Sequence, residues 1–250
     1  EIYTLSLHDA LPIFGRSLSV QAAALLGRYK PRTVVVCGGE AALSPDVAAQ
    51  AAAAAGGARA VRCAGADAVG TAIALYREAP AAVPSQASFG DTAWVATDNG
   101  YWDALAAAPV AYAQHEPIFL THGADALSRE TIDVMKAGGI ARVYIAGGPL
   151  TISPAVERQL EDADIAVAAR FGGPTAVETS LSIAQHGIDA GMSADGMGVA
   201  TTDGYWDALS GAALCGARGS VLALVNALRA DRVARSEEHT SELQSLGRIS

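Results

Sequence analysis

The stretch VATDNGYWDAL (Val95–Leu105) returns 104 residues later as VATTDGYWDAL (Val199–Leu209). Two further blocks repeat in the same order. VVVCGGEAALSP (Val34–Pro45) returns as VYIAGGPLTISP (Val143–Pro154), 109 residues on. RCAGADAVGTAIA (Arg62–Ala74) returns as RFGGPTAVETSLSIA (Arg170–Ala184), offset by 108 at the arginine. Three ordered blocks at one period mean that a single unit is used more than once. A period of this length makes each unit a small domain rather than one turn of a solenoid.

Between the blocks, strand-like and helix-like segments alternate. Thr33–Gly39 is a β-branched run closed by glycines, the pattern of a buried parallel strand. Ser44-Pro45 then opens an alanine-rich helix, with serine as N-cap and proline at the first helical position. The same grammar predicts strands over 58–63, 91–97, 117–121, 141–148, 164–170, 196–202 and 219–225. The helices between them include one capped by Ser128 and stopped by Gly138. A Pro/Ser-containing loop is expected over 80–90. Strands alternating with helices of this length imply βαβ units and parallel sheets. The expected fold class is therefore α/β: tandem flavodoxin-like or Rossmann-like parallel-sheet units.

Residues 1–13 (EIYTLSLHDALPI) and 235–250 read as translated sequencing-adapter scars rather than native protein. With these set aside, 14–63 is read as the second half of a repeat unit, 64–171 as a complete unit and 172–234 as the first half of another. The chain is accordingly expected to be a fragment.

The chain has 17 basic and 26 acidic residues, net −9; without the two terminal stretches the balance is 15 to 21, net −6. That sign argues against a nucleic-acid or anionic-membrane surface. No apolar run approaches the roughly 20 residues of a membrane-spanning helix. Cys37, Cys63 and Cys215 form no CxxC pair, so no zinc site is expected. Cys37 and Cys63 both fall at strand ends. They read either as small buried apolar residues or, in a secreted protein, as a disulfide.

Open parallel sheets bind ligands beyond the carboxyl ends of their strands, and the repeated motifs fall there. Asp98, Asn99 and Asp203 lie in the loops after the repeated strand, Trp102 and Trp206 just beyond, and Arg62 and Arg170 at the ends of other strands. These seven are the candidate ligand-binding residues. Each also has a structural reading. The arginines suit phosphate, or bridge to a nearby carboxylate. The tryptophans stack on sugar rings, or seal one unit against the next. Asp103 and Asp207, in a helix's first turn, complement its dipole. No GxSxG, HExxH or P-loop signature appears, and His122 stands at a strand end without a repeated partner. No catalytic residue, cofactor or metal is therefore assigned. Unlike reactive groups in one pocket would indicate an enzyme acting on a phosphorylated small molecule. Like surfaces on successive units indicate a binder. A surface lattice or spacer is the third reading.

Taken together, these blocks resemble the bacterial cell-wall-binding repeat, type 2. The resemblance rests on Arg62, Gly65, Thr71 and Ala72; on Asp103-Ala104-Leu105; on Pro117–Thr121; and on Gly147-Gly148 with Ile152-Ser153. Arg170, Gly173, Thr179 and Asp207 repeat the pattern. The family's second arginine-tyrosine pair is absent, with Ala68-Val69 and Ala176-Val177 in its place. The resemblance implies a non-enzymatic module, three in tandem as a pseudo-trimer, here truncated. It would hold a secreted protein noncovalently at the cell surface, on an anionic, teichoic-acid-like wall polymer.

Overall fold

The computed structural model describes residues 17–82 and 88–226. The terminal stretches 1–13 and 235–250 lie outside the described residues. Along the chain run α1 (Val20–Tyr29), β1 (Thr33–Cys37), α2 (Pro45–Ala54), β2 (Arg59–Cys63), α3 (Ala68–Ala82), β3 (Thr92–Thr97), α4 (Trp102–Gln114) and β4 (Ile118–Thr121). They continue with α5 (Arg129–Ala137), β5 (Arg142–Ala146), α6 (Pro154–Asp162), β6 (Ala166–Phe171), α7 (Ala176–Asp189), β7 (Ser193–Thr201), α8 (Trp206–Arg218) and β8 (Ser220–Val225).

The elements begin where side-chain chemistry starts them. Ser44 and Ser153 cap α2 and α6, each followed by proline at the first position. Ser128 Oγ accepts the Thr131 N–H at 3.0 Å to start α5, and Gly138 ends that helix. The loop expected from Pro80 begins later, because α3 carries Pro80 within it and runs on to Ala82.

The strands pair in parallel as three sheets: β1-β2, β4-β3-β5-β6 and β7-β8. Alternation along the strands of the four-stranded sheet divides its core in two. Ala93, Val95, Val143 and Ile145 face a layer that includes Ile73 of α3, Met135 of α5 and Leu160 of α6. Trp94, Ala96 and Ala146 face α4 and α7 through Val110, Ala111 and Ile183. The buried Trp94 donates its indole N–H to Glu116 Oε2 at 2.6 Å and packs against Tyr144 and Phe171. Burial raises the Glu116 carboxyl's pKa, and the indole hydrogen bond opposes this.

A bulge between β5 and β6 sets the sheet's last side chains. Val143 pairs with Val167, but Tyr144 pairs with Ala169, so Ala168 is the extra residue. The one-residue slip reverses the parity of the rest of β6. Val167 joins the face of α5 and α6, while Phe171, four residues on, joins the face of α4 and α7.

The sheets are joined by helices that leave one and pack on the next. α3 follows β2 yet packs on β4 and α5, and α7 follows β6 yet packs on α4 and β8. α4 also lies against α8. There Trp102 donates its indole N–H to the Thr202 carbonyl at 3.0 Å, and Tyr101 meets Tyr205 edge-on with centroids 4.9 Å apart. The two helices are in tight contact at Gly216, where a Cβ would fall 2.9 Å from Tyr112 Cβ and 3.0 Å from its ring. Gly216→Ala should force α8 away from α4 and cost about 1–3 kcal/mol. A urea midpoint at or above that of the parent chain would show that this contact does not hold the helices together.

Candidate binding cleft at the carboxyl edge of the sheet

The repeated loops have repeated internal bonding. Thr97 Oγ1 accepts the Asn99 N–H and Thr201 Oγ1 accepts the Asp203 N–H, both at 3.0 Å. Gly65 N–H donates to Thr71 Oγ1 and Gly173 N–H to Thr179 Oγ1, both at 3.1 Å. Each threonine thus satisfies a backbone donor where the chain turns from strand into helix.

The two motif arginines do matching work. Arg62 Nη1 donates to the Gly38 carbonyl at 2.7 Å, and Arg170 Nη1 to the Gly147 carbonyl at 2.8 Å. Gly38 and Gly147 have φ of 115° and 137°, a region that side-chain-bearing residues rarely adopt. Each arginine therefore pins the glycine turn of the neighbouring strand. Arg170 Nε also donates to Glu157 Oε1 at 2.8 Å. Its Nη2 lies 2.8 Å from the same oxygen as a charge contact, outside hydrogen-bond geometry.

β3 and β5 are neighbours whose chains leave toward opposite edges of the sheet, the position at which such sheets usually open a ligand crevice. Here the chain fills it. A Cβ on Gly147 would lie 3.1 Å from Asp103 Oδ2 and 3.2 Å from Thr151 Cγ2. Burial pushes the Asp103 carboxyl up to about 6. Its repeat counterpart Asp207, on α8, is exposed.

An open cleft lies one strand over, beyond the end of β4. It measures about 360 Å³ and is lined by Gly65, Asp67, Ile73, Arg77, His122 and Glu130, among others. Val69 and Ile73 give it an apolar floor. Arg77 pairs with Glu130 at 2.9 Å on one wall. Opposite, His122 sits between two carboxylates: Nε2 is 3.3 Å from Asp67 Oδ2 and Nδ1 is 3.3 Å from Asp98 Oδ2. Both aspartates are anchored by backbone, Asp67 Oδ1 accepting from Gly70 N–H and Asp98 Oδ1 from Gly123 N–H, each at 2.7 Å. Among the described residues, no group of three or more His, Cys, Asp or Glu could hold a metal ion.

Of the seven candidate residues, the structure brings Asp98 to the cleft, behind His122. Arg62, Arg170 and Trp102 are engaged within the protein. Asn99 and Asp203 are exposed in their loops, and Trp206 is 52% exposed on α8. Asp67, Arg77 and Glu130 were not singled out from the sequence. Repeat comparison dilutes Asp67, whose counterpart is Thr175, and nothing local connects Arg77 with Glu130 across 53 residues.

Parallel α/β units repeated along one chain and joined helix to sheet define a tandem-repeat module. The chain belongs to the cell wall binding domain 2 family, whose description matches residues 62–157 and again 170–246. The fold is similar to that of Cwp6 from Clostridium difficile, with a TM-score of 0.73 at 20% identity over 84% of this chain and 32% of that one. It is also similar to Cwp8 from the same organism, with a TM-score of 0.62 at 22% identity over 79% of this chain and 32% of that one. Over 124 residues the chain is 28% identical to N-acetylmuramoyl-L-alanine amidase LytC of Bacillus subtilis (strain 168), covering 50% of this chain and 23% of the amidase. The chain thus spans between about a quarter and a third of the length of these proteins.

The half-buried Asp103 makes stability pH-dependent in a stated direction. Its folded pKa of about 6 lies above the ordinary 3.8, so the protonated form fits the fold better. The stabilisation is complete below pH ~4 and is lost as pH rises through ~6. Allowing for solvent screening, Asp103→Asn should gain about 1 kcal/mol at pH 7.5 and nothing at pH 4. Equal denaturation midpoints for the two proteins at both pH values would contradict this.

Proposed function

We propose that this chain is a non-catalytic wall-attachment module that holds its parent protein at the bacterial cell surface by binding a wall polymer. The observation that carries this reading is the double match to the cell wall binding domain 2 family, on units whose motif residues make the same contacts in both copies. The reading extends to a secreted parent protein and to an anionic, teichoic-acid-like polymer. Residues 64–171 act as one complete unit, flanked by parts of two others. Repetition lets weak contacts on successive units sum along one polymer.

The net negative charge means that attachment is local rather than a bulk attraction between protein and polymer. We place the contact at the cleft beyond β4. There Asp67 and His122 present hydrogen-bonding groups to a hydroxyl-rich glycosyl segment, over the Val69 and Ile73 floor. Carboxylates at the cleft disfavour phosphate there, so the polymer's charged groups would run outside it. Trp206 and Leu209 form an exposed strip on α8, matching Trp102 and Leu105, through which α4 meets α8. They would meet a following unit in the same way.

Sedimentation with purified Gram-positive walls tests the reading. The chain should pellet with intact walls, no less so at high salt because screening relieves the repulsion between like charges, and stay in solution with walls stripped of anionic polymer. Retention on both would remove the anionic-polymer component, and retention on neither would remove the function. Asp67→Ala with His122→Ala should weaken retention about tenfold, the loss of one or two net hydrogen bonds. Unchanged retention in that variant would move the contact away from the cleft.

A further inference from the structure

Two of the three cysteines are register partners on adjacent strands: Cys37, the last residue of β1, pairs with Cys63, the last residue of β2. Both are free thiols, Cys37 exposed and Cys63 buried. The third, Cys215, is buried on α8 in a separate cluster with Ala212 and Leu222.

The repeat shows that nothing in the unit's architecture requires sulfur at these places. The counterparts of Cys37 and Cys63 in the next copy are Ala146 and Phe171, which are also register partners. The two cysteines thus occur together in one copy and are absent together from the other, at positions that touch. Partners on adjacent parallel strands point to the same face, with Cα atoms about 4.8 Å apart. That spacing falls within the range of about 4.4–6.8 Å that a disulfide spans. The Cys63 thiol's pKa is raised by burial first, with Cys37 adding to the effect, in keeping with their proximity.

We propose that Cys37 and Cys63 are an oxidisable pair that forms a disulfide between β1 and β2 once the module is exposed to an oxidising surface environment. The environment rests on the wall-attachment reading; the pairing rests on the register alone. The oxidant is a small-molecule disulfide. The exposed Cys37, as thiolate, attacks one of its sulfurs, forming a mixed disulfide and releasing one thiolate. Cys63, after losing its proton, attacks the Cys37 sulfur and releases the second thiolate. The two cysteines lose two protons and two electrons, and the oxidant becomes two thiols. The new bond ties a sheet of only two strands, a size that is marginal without further support, and it restricts the unfolded chain.

The full chain is incubated natively with oxidised glutathione at pH 8, then denatured for thiol titration and peptide mapping. The expected result is a fall from three titratable thiols to one. A Cys37 peptide should be joined to a Cys63 peptide, Cys215 should remain free, and the melting temperature should rise and return on reduction. Cys37→Ser should keep both remaining thiols. A stable glutathione adduct on Cys37 with Cys63 still free, or three thiols persisting, would overturn the proposal. Neither result depends on wall binding, which the sedimentation experiment reads separately.

Discussion

No side chain fits at Gly65 or Gly173. A Cβ on Gly65 would fall 2.3 Å from the Gly70 backbone, and one on Gly173 would fall 2.4 Å from Glu178 Cβ. These two glycines let the chain leave the last strand of one sheet and enter a helix at once. Because that helix then packs on the next sheet, the turn decides how successive units sit together. The threonine six residues on closes each turn by accepting the glycine N–H. A unit is therefore defined less by its own sheet than by the helix that the preceding sheet launches into it.

The strand-end arginines support the same arrangement from the other side. A guanidinium pinned to a carbonyl fixes the positive-φ glycine turn after the neighbouring strand, and that turn leads to the Ser-Pro start of the next helix. In the four-stranded sheet the β6 bulge lies just before Arg170, so a local irregularity determines which face its side chain takes. Asp103 and Thr151 then fill the crevice between β3 and β5. The usual ligand position is occupied by the protein itself, and an open cleft lies instead at the β4 edge, where Asp67, His122 and Asp98 converge.

The fold was legible because many of its elements carry their own start or stop signal. Ser-Pro caps, β-branched runs and glycine ends were enough to place the strands and most helices, and the period supplied the tandem organisation. α1 was not singled out, and the loop expected from Pro80 gave way to a helix that accommodates the proline near its end. The candidate site was less legible. Repetition drew attention to Arg62 and Arg170, whose contacts recur because they build the unit, and to Trp102, which ties α4 to the loop before α8. The cleft depends on groups far apart in sequence, and their repeat counterparts differ: Thr175 for Asp67 and Asn226 for His122. A search for duplicated motifs finds the scaffold more readily than a pocket whose lining varies between copies.

In the proposed attachment the cleft beyond β4, rather than the aromatic strip at the start of α8, meets the polymer. Backbone amide shifts of the full chain, recorded during titration with solubilised wall polymer, distinguish the two surfaces. Shifts should concentrate at Gly65, Gly70, His122 and Gly123, with little change at Tyr205 and Trp206. Shifts confined to Tyr205, Trp206 and Leu209, with the cleft amides unmoved, would contradict it.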